Sequence, residues 1–175
     1  MKFTHILLAC LTLLFVGAQL PKNIQKKVDK EIKRTYEVEE FVFESKTFDA
    51  EIVKTLPSEF GSDNFFNISK GDTLLGYAYV SKAPSKTDEF DYLILLSKDL
   101  VVKKAKVLVY REDYGGEIGS KRWLKQFVGK TPKNELKYQQ NIVAIAGATI
   151  SVRSMTTAVN DMLRSLEILQ SKKAL

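Results

Sequence analysis

The chain predicts a single α+β domain: a mostly antiparallel sheet with helices at both ends and a short helix in the middle. Three observations predict it. Apolar residues near both ends recur at helical spacing, those between follow strand-like runs broken by turn residues, and no repeat or linker divides the sequence. A length of 175 residues suits one domain with a sizeable core, and 45% hydrophobic with 27% charged residues excludes a disordered chain.

The elements follow in order. Residues 1–18 read as an export signal: Lys2 begins it, "ILLACLTLLFV" is its apolar region, and "VGA" places small residues before a cleavage after Ala18. Two other readings stay open, an uncleaved anchor and a lipoprotein signal in which "LLAC" ends at Cys10. Residues 19–40 form an N-terminal surface helix, because Ile24, Val28 and Ile32 lie four apart in a strongly charged stretch. Residues 41–175 make up the domain proper. "TFDAEIVKT" alternates Phe48, Ala50 and Ile52 with polar residues and predicts a strand. After the turn-rich "PSEFGSDN", "TLLGYAYVSK" is a second strand, "APSKTDE" a loop, and "FDYLILLSKDLVVKKAKVLVY" a hairpin turning near Lys98–Asp99. A three-glycine loop then leads into a short amphipathic helix carrying Trp123, Leu124 and Phe127. "NIVAIAGA" predicts a short, very apolar strand. The last helix buries Val152, Met155, Val159, Met162, Leu163, Leu166 and Leu169, with Arg153, Asn160, Asp161, Arg164 and Glu167 opposite.

Composition limits the chemistry. The net charge of +6 comes from lysines along the whole chain, and no basic cluster alternates with exposed aromatics, so nucleic acid is not an expected partner. The positive field suits either an anionic ligand or membrane surface, or simply a soluble exterior. His5 and Cys10 are the only histidine and cysteine, and both precede the expected cleavage site. The mature domain therefore has no Ser-His-Asp triad, thiol nucleophile, disulfide or His/Cys metal site, and no catalytic residue or metal ligand is assigned. The carboxylate pairs in "DEFD" and "REDY" offer a hydrolase reading, but one sits in a loop and strand neighbours face opposite ways, so both read as solvated.

The stretch "IAGATISVRSM" carries the candidate site. A helix opens after Gly147 and Ala148, small residues that let another molecule approach the backbone. Its first-turn amides and dipole favour an anion such as a phosphate, with Thr149, Ser151, Ser154 and Arg153 as further donors. The plain alternative is that Thr149 or Ser151 caps the helix and the small residues serve packing. Upstream, in "YREDYGGEIGSKRWLKQF", Gly115, Gly116 and Gly119 allow a main chain close to a flat ring. Tyr114 or Trp123 offers a stacking surface, Trp123 being equally readable as core, and Glu112 either orients the loop or meets a ligand's hydroxyls.

These two patches, in this order and about 30 residues apart, resemble the FMN-binding domain family over residues 105–170. That family includes flavin-carrying domains in the C and G subunits of the sodium-pumping NADH:quinone oxidoreductase and of Rnf-type complexes, with free-standing exported relatives. Its attachment pattern is close to D-x-x-[ST]-[GA]-A-T-x-[ST], and "AGATIS" is similar to it, with Thr149 on the acceptor threonine and Ser151 on the following hydroxyl. Val143 stands in place of the aspartate and Ala146 in place of the serine or threonine. The resemblance implies FMN as cofactor, joined by a flavin transferase through a phosphoester at Thr149. Gly147, Ala148, Ser151, Ser154, Glu112, Tyr114, Gly115, Gly116 and Trp123 would line the site. It also implies an exported, periplasmic or extracytoplasmic flavoprotein, soluble or membrane-anchored, that exchanges electrons with redox proteins or a membrane complex. A flavin-free interaction module keeping the fold is the alternative that Val143 and Ala146 leave open.

Overall fold

The computed structural model describes residues 20–175; the expected leader at 1–18, with His5 and Cys10, lies outside them. The elements are helix α1 (Lys22–Tyr36), strand β1 (Val42–Ser45), the one-turn α2 (Ala50–Val53), β2 (Phe65–Lys70), β3 (Thr73–Pro84), β4 (Glu89–Ser97), β5 (Val102–Val109), the short α3 (Lys121–Leu124) and α4 (Thr149–Ser171). The five strands pair antiparallel in chain order. The α+β class and the antiparallel sheet are as the sequence predicts.

Helices cover both faces of this sheet. On one face Ile24, Val28 and Ile32 of α1 pack against Leu93 and Leu95 of β4 with Phe66, Ile68, Ala78, Val80 and Leu108. On the other, the stripe of α4 meets Tyr92, Ile94 and Leu96 of the same strand together with Phe65, Tyr79 and Phe90. Successive residues of β4 thus enter different cores, which is why it reads as an unbroken apolar run. At 25 cal/mol per Å², each large side chain buried here contributes about 1.5–3 kcal/mol. Polar ties fix α1 on its face: Lys27 Nζ donates to the Leu108 carbonyl at 2.6 Å, and the Tyr36 hydroxyl to that of Leu96 at 2.7 Å.

Two expectations need correction. "TFDAEIVKT" is no strand: Asp49 accepts the Glu51 amide at 2.9 Å and starts α2. Phe48, Ile52 and Leu56 pack on the larger core at a spacing of four, and that helical spacing overrides the alternation. "NIVAIAGA" is no strand either. Only an isolated bridge, Tyr138 with Ile142, touches it, and Val143, Ala144, Ala146 and Gly147 are exposed. Its backbone groups bond within turns, and those of Val143 find side chains, so no ladder forms. Strands β1 and β2 have no counterpart in the sequence reading.

Candidate functional site

The helix start is open. Ala148 occupies the N-cap with φ −125° and ψ 24°, and no side chain caps α4. The first amide to reach a carbonyl is that of Val152, on Ala148 at 2.9 Å, so those of Thr149, Ile150 and Ser151 end the helix without a backbone partner. Thr149 is exposed and caps nothing, which removes the plain reading of it. Gly147 precedes it at φ +79°, a left-handed conformation that favours glycine, and open space surrounds the position a Cβ would take.

The glycine-rich loop comes to this same point. Gly115 has φ +78°, and a Cβ there would lie 2.8 Å from the Cβ of Ala148 and 3.1 Å from the Tyr110 hydroxyl. Tyr110 in turn shares a 3.0 Å hydrogen bond with Ser151. The loop's other end is fastened to the β3–β4 connection. Glu112 Oε1 accepts from the Ser85 hydroxyl and the Thr87 amide, both at 2.6 Å, and Oε2 from the Thr87 hydroxyl at 2.9 Å. These bonds hold the Glu112 carboxyl down at about pKa 2, the Ser85 hydroxyl contributing most. Beside it, Arg111 pairs with Asp91 at 2.6 Å and donates to the Glu89 carbonyl at 2.8 Å.

The approach to Thr149 is held by the middle helix. Trp123 is only 5% exposed and packs edge-to-face on Phe127, 5.2 Å between centroids. Its indole N–H donates to the Val143 carbonyl at 2.8 Å, while Gln126 Oε1 accepts the Val143 amide at 2.7 Å.

The geometry therefore gathers Gly115, Ala148, Gly147 and Thr149, with Ser151 just behind them on Tyr110. Tyr114, next to Gly115 in the chain, is 84% exposed. Gly116 is exposed, with nothing within 4 Å of where a Cβ would be. Other residues face elsewhere. Ser154 donates to the Pro84 carbonyl, on the α4 face towards β3. Glu112 has both oxygens engaged by the 85–88 loop, which makes it an orienting residue. Trp123 has no free ring face; burial in the core overrides its reading as a stacking surface. Arg153 lies over the Tyr138 ring at 4.9 Å. Sequence reasoning did not single out Tyr110 or Gln126; both act through long-range contacts that no local pattern announces. From Ile150 a groove of about 910 Å³ continues along Arg153, Ser154 and Asp161 of α4 against Tyr79 and Pro84.

An α+β domain whose longest described helix opens, uncapped, on an exposed threonine beside a glycine loop presents the kind of helix start that suits an anionic group. The family model described as FMN-binding domain matches residues 86–164, and that match supports FMN as the cofactor. The match takes in the β3–β4 connection, the glycine loop, the middle helix and the first two thirds of α4. Among solved structures the chain is similar to the crystal structure of Shewanella oneidensis NqrC, at 17% identity and a TM-score of 0.51, covering 75% of this chain and 70% of that one. That likeness is one of fold. No curated protein matches the chain. The residues present fit the cofactor's phosphate: unpaired amides, an exposed hydroxyl and a glycine approach converge at residues 147–151.

Proposed function

We propose that the protein is an exported flavoprotein that carries FMN on Thr149 through a phosphoester and passes electrons between redox partners at or outside the cytoplasmic membrane. The observation that carries this reading is the exposed, uncapped Thr149 at the open end of α4, against which the glycine loop is packed. Bound FMN supplies one- and two-electron transfer through its ring. The chain's own residues bind and orient. The amides of Thr149, Ile150 and Ser151 and the helix dipole favour the phosphate, which keeps one negative charge once it is esterified to Thr149. The Tyr110–Ser151 hydrogen bond and the Gly115–Ala148 contact keep the loop over that end, and exposed Tyr114 supplies an aromatic face beside it.

A covalent tether suits a protein beyond the cytoplasm, where a lost cofactor is not readily replaced. The export reading rests on the N-terminal apolar segment. The expected partners are a flavin transferase during maturation and redox proteins or a membrane electron-transfer complex afterwards. The test is co-expression with a flavin transferase. The purified chain should be yellow and heavier by the mass of FMN less one water, and Thr149→Ala should lose both. The substitutions Val143 and Ala146 favour the flavin-free interaction module; a colourless chain that also leaves added FMN unbound would establish it instead.

A further inference from the structure

We infer that Trp123 and Gln126 are positioning residues for Thr149: together they grip the main chain of Val143 at both its polar atoms and so fix the loop that leads into the attachment site. The inference rests on the reading of Thr149 as the flavin-bearing residue.

The geometry is closed on itself. Trp123 Nε1–H donates to the Val143 carbonyl at 2.8 Å, Gln126 Oε1 accepts the Val143 amide at 2.7 Å, and Gln126 Nε2 donates back to the Trp123 carbonyl at 2.9 Å. The gripping atoms are themselves held. The Trp123 ring is clamped against Phe127, and its backbone amide reaches Ser120 Oγ at 3.3 Å. A buried indole N–H ordinarily needs such a partner, and here it finds one in the loop.

Apart from Ile145, which packs on the larger core, the loop has little else. Between Val143 and Thr149 no strand pairs with it, and its internal backbone bond is Ala148 N–H to the Ile145 carbonyl at 3.2 Å. Its downstream end is Ala148, packed on Gly115; its upstream end is the grip on Val143. Six residues spanning two fixed points leave Thr149 a narrow range of positions.

This explains the departure at position 143. The Val143 side chain is 66% exposed and contributes nothing to the grip. A main-chain anchor is indifferent to the residue type it holds, so this chain can keep its attachment loop in place without an aspartate there.

The test compares Trp123→Phe, which keeps an aromatic ring but has no N–H, with Gln126→Leu, Gln126→Glu and Val143→Asp in the full chain. In the flavin-free protein, amide hydrogen exchange is read at Val143 and Ala148, the hydrogen-bonded amides of the loop, with β4 as internal control. Each lost hydrogen bond should speed exchange there about fivefold, the equivalent of a net bond of about 1 kcal/mol, while β4 protection stays unchanged. Gln126→Glu, which keeps the acceptor, should restore protection. After co-expression with the transferase, Trp123→Phe and Gln126→Leu should carry FMN several-fold more slowly, and Val143→Asp at the unmutated rate. Unchanged exchange at Ala148 in Trp123→Phe and Gln126→Leu overturns the inference, as does a several-fold gain in FMN uptake by Val143→Asp. A chain that takes no FMN in any form sinks the reading of Thr149 instead, and the exchange data still decide the grip.

Discussion

Glu112 shows how a single carboxylate can build a site without touching its ligand. Accepting three hydrogen bonds from Ser85 and Thr87 favours its charged form and lowers its folded-state pKa from 4.5 to about 2. A depressed folded value gives stabilisation that is complete above pH 4.5 and is lost as pH falls towards 2. The Thr87 amide resonance should therefore titrate near pH 2, not near pH 4.5, and Glu112→Gln should abolish that titration. Gly115 makes the second prediction at this scale. A methyl there would strain a backbone at φ +78° and press on Ala148 at 2.8 Å, so Gly115→Ala should cost about 1–3 kcal/mol in urea unfolding. It should also slow FMN uptake, since the two patches could no longer touch. The sequence singled out the glycines but not their ranking. Gly116 and Gly119 meet nothing within 4 Å, and only the fold says that Gly115 meets Ala148.

Among the elements, those with a long period were legible and those held by distant partners were not. The last helix was readable residue by residue because its apolar positions repeat at 3.6, and every member of that stripe is buried. Leu163→Ala should accordingly cost about 2–5 kcal/mol by urea denaturation, whereas Arg164→Ala, one residue on and exposed, should stay within ~0.5 kcal/mol. An equal effect at both positions would show that the stripe does not face the core. The loop at 141–148 was misread because its apolar composition resembles a strand, while what organises it is Trp123 and Gln126, some 20 residues earlier in the chain. Side-chain capture of a backbone leaves no periodic trace. The start of α4 at Thr149 was legible from the small residues before it; that nothing caps the helix needed coordinates.

For the molecule as a whole, the distribution of charge matters more than its sum. Residues 22–36 hold Lys22, Lys26, Lys27, Lys30, Lys33 and Arg34 against Asp29 and Glu31, an excess of four within a chain of net +6. Lys103, over the ring of Tyr36 at 5.7 Å, and Lys104, 3.9 Å from Glu31, extend this basic side along β5. Because α1 and α4 lie on opposite faces of the sheet, the basic side and the packing side of α4 are separated by the sheet's thickness. If the protein works at a membrane, an anionic surface would meet α1 and leave the helix start at Thr149 free for a partner. Residues 20–175 contain no helix long and apolar enough to cross a membrane, and the lysines of α1 offer an electrostatic contact. With about 1 kcal/mol per cation near an anionic bilayer, replacing Lys26, Lys30 and Lys33 by Gln should weaken binding to phosphatidylserine-containing vesicles roughly 100-fold at low salt. Raising the salt to 0.5 M should remove most of the difference, because the screening length then falls well below about 8 Å. Vesicle binding should leave FMN uptake at Thr149 unchanged. Binding to neutral vesicles as tight as to anionic ones, or uptake blocked by the vesicles, would show that the two faces do not divide the work in this way.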